Sequence, residues 1–264
     1  MSRLTRATQI GSALIRTSLL TAMQYRSDLA FDAFAGLLRT IATSAPLLLV
    51  FQRDQTIAGW TLPEAAWVMS LYLLMQGILG GLVEPNLGEV VESVRSGNFD
   101  LVLMKPADAQ LLVSVRTVAP SHIWDVLASI LLAGWAVSQG GAPTPVNALV
   151  AFGLLICGLA SMYALWLMAI SLSFWFVRVD NLRFLLWSAA DAGRWPIQVF
   201  SGWARTVLTF VIPVALLTSF PAMALRGQWD LSALATAAGV AVTFVVASRL
   251  AWTRALASYT SASS

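Results

Sequence analysis

The chain has 264 residues, of which 58% are hydrophobic and only 11% charged, with 16 Lys and Arg against 13 Asp and Glu and a mean hydropathy of +0.75. A soluble domain carries about 25% charged residues, so a single water-soluble core is excluded. Several apolar runs approach the ~20 residues needed to cross a bilayer core of about 30 Å, which gives a polytopic, all-α membrane protein.

The segment from Met1 to Arg26 predicts an amphipathic helix lying along the membrane. Leu4, Ala7, Gly11, Leu14, Ile15, Ser18, Leu19 and Ala22 form its apolar-to-small face, and Arg3, Arg6 and Arg16 face water or lipid phosphates. No compact apolar region with a small-residue cleavage site follows these cations, so the first span is expected to serve as the insertion signal. That span is read from Leu29 to Phe51, with Asp32 and Arg39 on one face, where both must point into the bundle or towards headgroups. A short outer loop carries Arg53 and Asp54.

The second span is read over Leu62 to Val83. Its Gly77-x-x-x-Gly81 spacing allows a neighbouring helix to approach closely. The stretch Glu84 to Pro106 then predicts a short helix of its own. Asn86 serves as N-cap and Glu89 completes a capping-box pattern. Leu87, Val90, Val91 and Val94 share one face, while Glu89, Glu92 and Arg95 occupy the rest. Gly97 stands where a glycine would end the helix. Such a stripe must pack on something: the membrane surface, the span bundle or another protein.

The third span, Val113 to Val137, opens with Arg116, Pro120, His122 and Asp125. His122 reads either as a proton relay or as an interfacial histidine paired locally. The uncharged, turn-rich Ser138 to Asn147 is an exterior link. The fourth span, Ala148 to Phe176, ends in three aromatics, with Arg178 and Arg183 beyond. Residues 181–205 are interrupted by Asp191, Gly193, Arg194 and Pro196 and read as an interfacial or re-entrant element. Thr206 to Leu225 is the fifth span, bent by Pro213 and Pro221, and Leu231 to Trp252 the sixth.

Charge fixes the orientation. With six spans and both termini inside, most cations lie on the cytoplasmic side and only Arg53 and Arg226 outside. A seventh span would carry Arg249 and Arg254 outward, against that bias.

No P-loop, zinc-protease helix or nucleophile elbow occurs. His122 is the only histidine, Lys105 the only lysine and Cys157 the only cysteine. The chain is expected to be no enzyme, to hold no metal and to bind no nucleic acid. Repeated halves with midplane charges would mark an ion-coupled carrier; no clear repeat is present, although the interrupted 181–205 stretch keeps that alternative open, beside a non-transport scaffold or assembly factor.

Several motifs in order resemble the membrane subunit of an ABC exporter of the type-2 permease class, in a bacterial branch whose ATPase is a separate chain. They are A-G-W-T-L-P-E from Ala58, V-R-S-G-N-F-D-L-V-L-M-K-P from Val94, F-W-F-V-R from Phe174 and G-R-W-P-I-Q-V-F-S-G-W from Gly193. L-T-F-V-I-P-V-A from Leu208, S-F-P-A from Ser219 and the terminal Y-T-S-A-S complete the set. The resemblance implies one transmembrane permease domain over 1–264 in the bacterial cytoplasmic membrane, paired with a second six-span permease, identical or different. ATP and magnesium are then bound by partner ATPase subunits. It also implies that 1–27 is a connecting helix and that 84–106 carries a coupling helix. Asn86, Leu87, Glu89, Val90, Val91, Glu92, Val94 and Arg95 are then expected at the ATPase contact. The outer loops are too short for a substrate-capturing exterior domain. An amphiphilic or lipid-like substrate is expected, with export implied by the class alone.

Overall fold

A computed structural model of the chain describes residues 26–51, 56–105, 108–114, 116–176 and 180–259. The expected surface helix at Met1 to Arg26, apart from Arg26 itself, lies outside them, as do Arg53, Asp54, Pro106 and Arg178. Every named element among the described residues is helical; the closest approach to a sheet is one isolated bridge between Ile57 and Trp60.

The axis of the fold is one unbroken helix, Leu62–Arg95, of 34 residues. It comprises α2 (Leu62–Ile78), a π-helical turn (Leu79–Val83) and α3 (Glu84–Arg95). α2 is apolar on all sides, as a helix enclosed by others must be. Ala65, Ala66, Val68, Met69, Tyr72, Leu73 and Met75 are all essentially buried. Of its most apolar stretch 61% is enclosed, against 17% for the helices at Pro120–Gly140 and Leu231–Ser258, so the latter two are peripheral.

Around this axis stand α1 (Arg26–Val50), α6 (Ile123–Gly140), α7 (Pro145–Ser171) and α12 (Leu231–Ser258). α6 lies along α2, and α12 along α7. Local chemistry sets their starts. Pro145 occupies the first turn of α7, where its missing N–H costs nothing, and Thr144 Oγ1 accepts from Asn147 N at 3.2 Å. Asp230 Oδ1 caps α12 by accepting from Ala233 N at 2.6 Å.

Four described helices are long and apolar enough to cross a membrane: Leu62–Arg95, Pro120–Gly140, Pro145–Phe174 and Leu231–Ser258. A bent pair, Gly202–Val211 with Val214–Leu225, makes a fifth when counted as one span.

Two boundaries differ from the sequence reading, and a third feature follows it. Helix continues through Val83 (φ −88°, ψ −54°), so Asn86 lies in a helix interior and is no N-cap; the stretch from Glu84 is not a separate helix. The third long helix starts at Pro120 rather than Val113, because α5 (Ala109–Ser114) stops and Ala119, held extended by the following proline, restarts the chain. Thr206 to Leu225 bends at Pro213, as the sequence predicts: its halves meet at 68° around Ile212-Pro213, where proline has no N–H to continue the ladder.

The stretch before that bend runs the length of the axis. Arg183 pairs with Glu84 at one end, Tyr72 Oη donates to Asp191 Oδ1 at 2.6 Å midway, and Trp60 Nε1 donates to Gln198 Oε1 at 3.1 Å at the other. From Leu62 to Glu84 the axis rises about 33 Å. The chain covers that distance through α8 (Asp180–Ala190) and two 3₁₀ turns, Asp191–Arg194 and Ile197–Val199. It then turns back through α9 (Gly202–Thr206) and a π turn to the bend, and leaves through α10 (Val214–Leu217) and α11 (Ser219–Leu225).

α10 approaches α7 backbone to backbone at Gly158, where an added Cβ would stand 2.6 Å from Leu217 Cα. Gly153, one and a half turns earlier, has open space beside it. Gly158→Ala should therefore destabilise the purified chain by roughly 1–3 kcal/mol, read as a lower melting temperature in detergent, whereas Gly153→Ala should not. Equal melting temperatures for the two variants would contradict this packing.

Candidate functional site

The end of the bundle where the axis terminates carries a platform built from α3, α4 (Asp100–Leu103) and α5. Gly97, at φ +76°, ends α3 in the left-handed conformation that glycine adopts without strain. The reversed chain is tied down by Phe99 N donating to Ser93 O at 3.1 Å.

The apolar stripe of α3 faces inward. Leu87, Val90 and Val91 are buried, and Val94 is half-buried. They form one core with Val113 of α5, Trp166 and Ile170 of α7, and Leu186 of α8. The stripe thus packs on the bundle itself, which was one of the three options left open by its spacing.

Phe99 locks the platform to the ends of two long helices. Its fully buried ring meets Phe174 at 5.3 Å, Tyr259 at 5.6 Å and Trp252 at 6.2 Å between centroids, each edge-to-face. Phe174 also meets Trp252 and Tyr259 at 5.8 Å, so the four rings close on one another. Such pairs contribute beyond their buried area, about 0.5–1.5 kcal/mol each.

Asn86 performs a different task from the expected cap. Its buried amide donates to Leu82 O at 2.5 Å and Thr117 O at 2.7 Å. Its Oδ1 accepts from Arg116 N and Thr117 N, both at 2.7 Å, and from Thr117 Oγ1 at 3.1 Å. This one side chain satisfies two N–H groups of the extended segment and, together with Ala119 N donating to Gly81 O at 2.9 Å, clamps it to the axis. Glu89, the expected capping-box partner, instead pairs with Arg116 at 2.6 Å. Glu84 holds Arg183, whose guanidinium lies flat against Gly88. Glu92 and Arg95 are 3.9 Å apart and exposed, a weak surface pair.

Arg249 of α12 closes the far side, with Nη2 2.6 Å from Asp108 Oδ2 and Nη1 donating to Gln110 Oε1 at 2.6 Å. The Arg249 hydrogen bond holds the Asp108 carboxyl below the usual carboxylate range. A cavity of about 30 Å³, room for a water, lies under the platform between Asn86, Glu89, Ser93, Phe99 and Arg116.

The outward surface of the platform is a tip of mixed character. Glu92, Arg95, Ser96, Asn98 and Lys105 are exposed around Leu101, Leu103 and Met104, of which Met104 is 81% exposed and Leu101 63%.

Two polar clusters lie deeper. Asp125, 2% exposed, accepts from Arg39 Nη2 at 2.8 Å and Thr40 Oγ1 at 2.5 Å, and lies 2.9 Å from His122 Nδ1. His122 is thus paired locally, and Arg39 faces α6 rather than Asp32, which is exposed. Gly80 and Gly81 make room for the His122 ring and for Ala119, while Gly77 lies against Val126. The second cluster joins Tyr72, Gln76, Asp191 and Arg194, with Gln76 Nε2 donating to Tyr72 Oη at 2.5 Å and Arg194 Nη2 3.3 Å from Asp191 Oδ2.

No group of three or more His, Cys, Asp or Glu that could hold a metal occurs among the described residues. The aromatic quartet escaped the sequence reading because its members lie up to 160 positions apart. The signal present was an aromatic immediately after the helix-ending Gly97-Asn98.

Phe99→Ala should cost about 3–5 kcal/mol, seen as loss of thermal stability and as protease cleavage near residues 96–105. Leu101→Ala, at an exposed neighbour, should leave both unchanged. A Phe99→Ala protein as stable as the parent would show that the platform is held elsewhere.

No match was found among curated proteins or among solved structures. The family model described as "ABC-2 family transporter protein" matches residues 37–263, which include the axis, the platform and both polar clusters. The chain therefore belongs to the ABC-2 transporter family, as a multi-pass membrane permease component of an ABC transporter.

Proposed function

We propose that this permease is driven by a separate ATPase that docks on the platform tip in the cytosol. The observation that carries the reading is an exposed apolar tip, Leu101, Leu103 and Met104, on a base locked by Phe99 to two long helices. Charge supports the orientation. Arg95, Lys105, Arg116, Arg183, Arg249 and Arg254 lie at the platform end, and Arg205 and Arg226, the latter paired with Glu64 at 2.9 Å, at the opposite one.

In this reading the residues expected at the contact divide into two groups. Glu92 and Arg95 meet the ATPase together with the tip. Asn86, Leu87, Glu89, Val90, Val91 and Val94 lie behind it and transmit displacement to the axis. ATP and magnesium are bound by the partner, and its closure moves the tips of two permeases, identical or different.

Six crossings fit this arrangement in a bacterial cytoplasmic membrane, with both termini inside. They are α1, the axis, α6, α7, the broken Asp180 to Val199 stretch, and α12; residues 202–225 then dip in from the outer side and return. Non-helical backbone at membrane depth is tolerated where protein or a water-filled cavity surrounds it. The half-exposed Asp191, beside Arg194, is costly against lipid. We assign its face to the pathway between the two permeases. Exposed Phe184, Leu185, Val199 and Trp203 on the same stretch supply the apolar half of a lining for an exported amphiphile.

The test is co-purification of the ATPase with the tip variant Leu101→Glu/Met104→Glu. The variant should keep its melting temperature while retaining at least tenfold less ATPase. Full retention of the ATPase would remove the tip from the contact.

A further inference from the structure

A groove of about 520 Å³, almost wholly apolar, runs between α1 and α6, lined among others by Leu37, Ile41, Trp124, Leu127 and Leu131. Its size falls within the ~300–1,000 Å³ of ligand sites. Ile41, Leu127 and Leu131 are exposed beside it, so it opens sideways, towards the membrane in a spanning chain.

Two polar features say what occupies it. Arg39 adjoins the groove residue Thr40 and keeps 44% of its side chain exposed. One nitrogen, Nη2, serves both Asp125 at 2.8 Å and His122 at 3.1 Å, which leaves Nε and Nη1 without a partner among the described residues. Trp124, in the groove wall, has an enclosed indole N–H with no hydrogen-bond partner among the described residues. A buried donor without a partner is costly, and a ligand oxygen would satisfy it. These donors sit near Asp125, within the first two turns of the Pro120–Gly140 helix, at its platform end. An arginine stem reaches the headgroup layer from there.

We propose that the α1–α6 groove binds an anionic phospholipid, with one acyl chain along Leu37 to Ala45 and Trp124 to Leu131 and its phosphate on Arg39. Asp125 is the positioning residue: it takes one edge of the guanidinium and turns the other outward. The buried Asp125 carboxylate, with Thr40 and His122 around it, keeps the arginine from folding back into solvent. The site requires neither nucleotide nor the ATPase.

The test is photo-cross-linking in nanodiscs, with no nucleotide present, using a phosphatidylglycerol that carries a diazirine on one acyl chain. A phosphatidylcholine of the same chain serves as the comparison. Label should map to residues 37–45 and 124–131, with phosphatidylglycerol favoured about tenfold. Leu131→Trp, at an exposed position, should fill the groove and remove the label without loss of stability. Arg39→Gln should abolish the preference for the anionic lipid; because it leaves Asp125 unpaired and can unfold the chain, Arg39→Lys, which keeps the charge, should retain it. Equal labelling by the two lipids, label unaffected by Leu131→Trp, or a Leu131→Cys disulfide joining two copies would overturn the assignment. The last result would give the groove to a second permease. ATPase co-purification is independent of all these readouts, so a failed lipid site and a failed docking tip are told apart.

Discussion

One uninterrupted helix sets what this chain can do mechanically. Leu62–Arg95 has no break between the enclosed middle of the bundle and the platform; even the π turn at Leu79–Val83 continues its hydrogen bonding. A displacement at one end is therefore delivered to the other with little loss, because packed interiors transmit strain rather than absorb it. Phe99 and Asn86 complete the device. The ring quartet joins the platform to the ends of α7 and α12, and the amide ties the segment leading to α6. In the proposed function, a push on the tip would thereby be shared among four helices.

The charges inside the fold follow a single economy. Asp125 is enclosed and fully answered by Arg39, Thr40 and His122, as a carboxylate at depth must be. Asp191 is answered only in part, by Tyr72 and Arg194, and stays 46% exposed. The contrast separates a cluster that fixes α1 against α6 from one whose remaining surface needs water or a polar partner. Broken backbone coincides with the second cluster: the 3₁₀ turns at Asp191–Arg194 and Ile197–Val199 lie beside it, where fixed helices would leave no polar lining.

The sequence made membrane class, family and the apolar stripe of α3 legible, because composition, motif order and a period of 3.6 are local properties. Gly97 was legible for the same reason. The role of Asn86 was not: Asn followed three residues later by Glu is a helix-start pattern, and nothing local says that helix already runs through it. Its partners, Arg116 and Thr117, are 30 and 31 residues away. The interrupted stretch at 181–205 was recognised as irregular, but its course along the axis depends on three distant contacts, with Glu84, Tyr72 and Trp60. The bend in Thr206 to Leu225 was legible from Pro213, but its 68° angle was not, because prolines in apolar runs bend or break helices according to what surrounds them.

Rigid transmission from tip to axis is the central claim, and paired spin-label distances test it most directly. In a Cys157→Ala background, labels at Met104→Cys and Thr61→Cys report on the two ends of one permease, and Met104→Cys in each permease reports on the two tips. On ATP binding to the whole transporter, the distance within a permease should stay constant while the distance between tips changes. A changed distance within the permease, with the tips fixed relative to each other, would contradict the account.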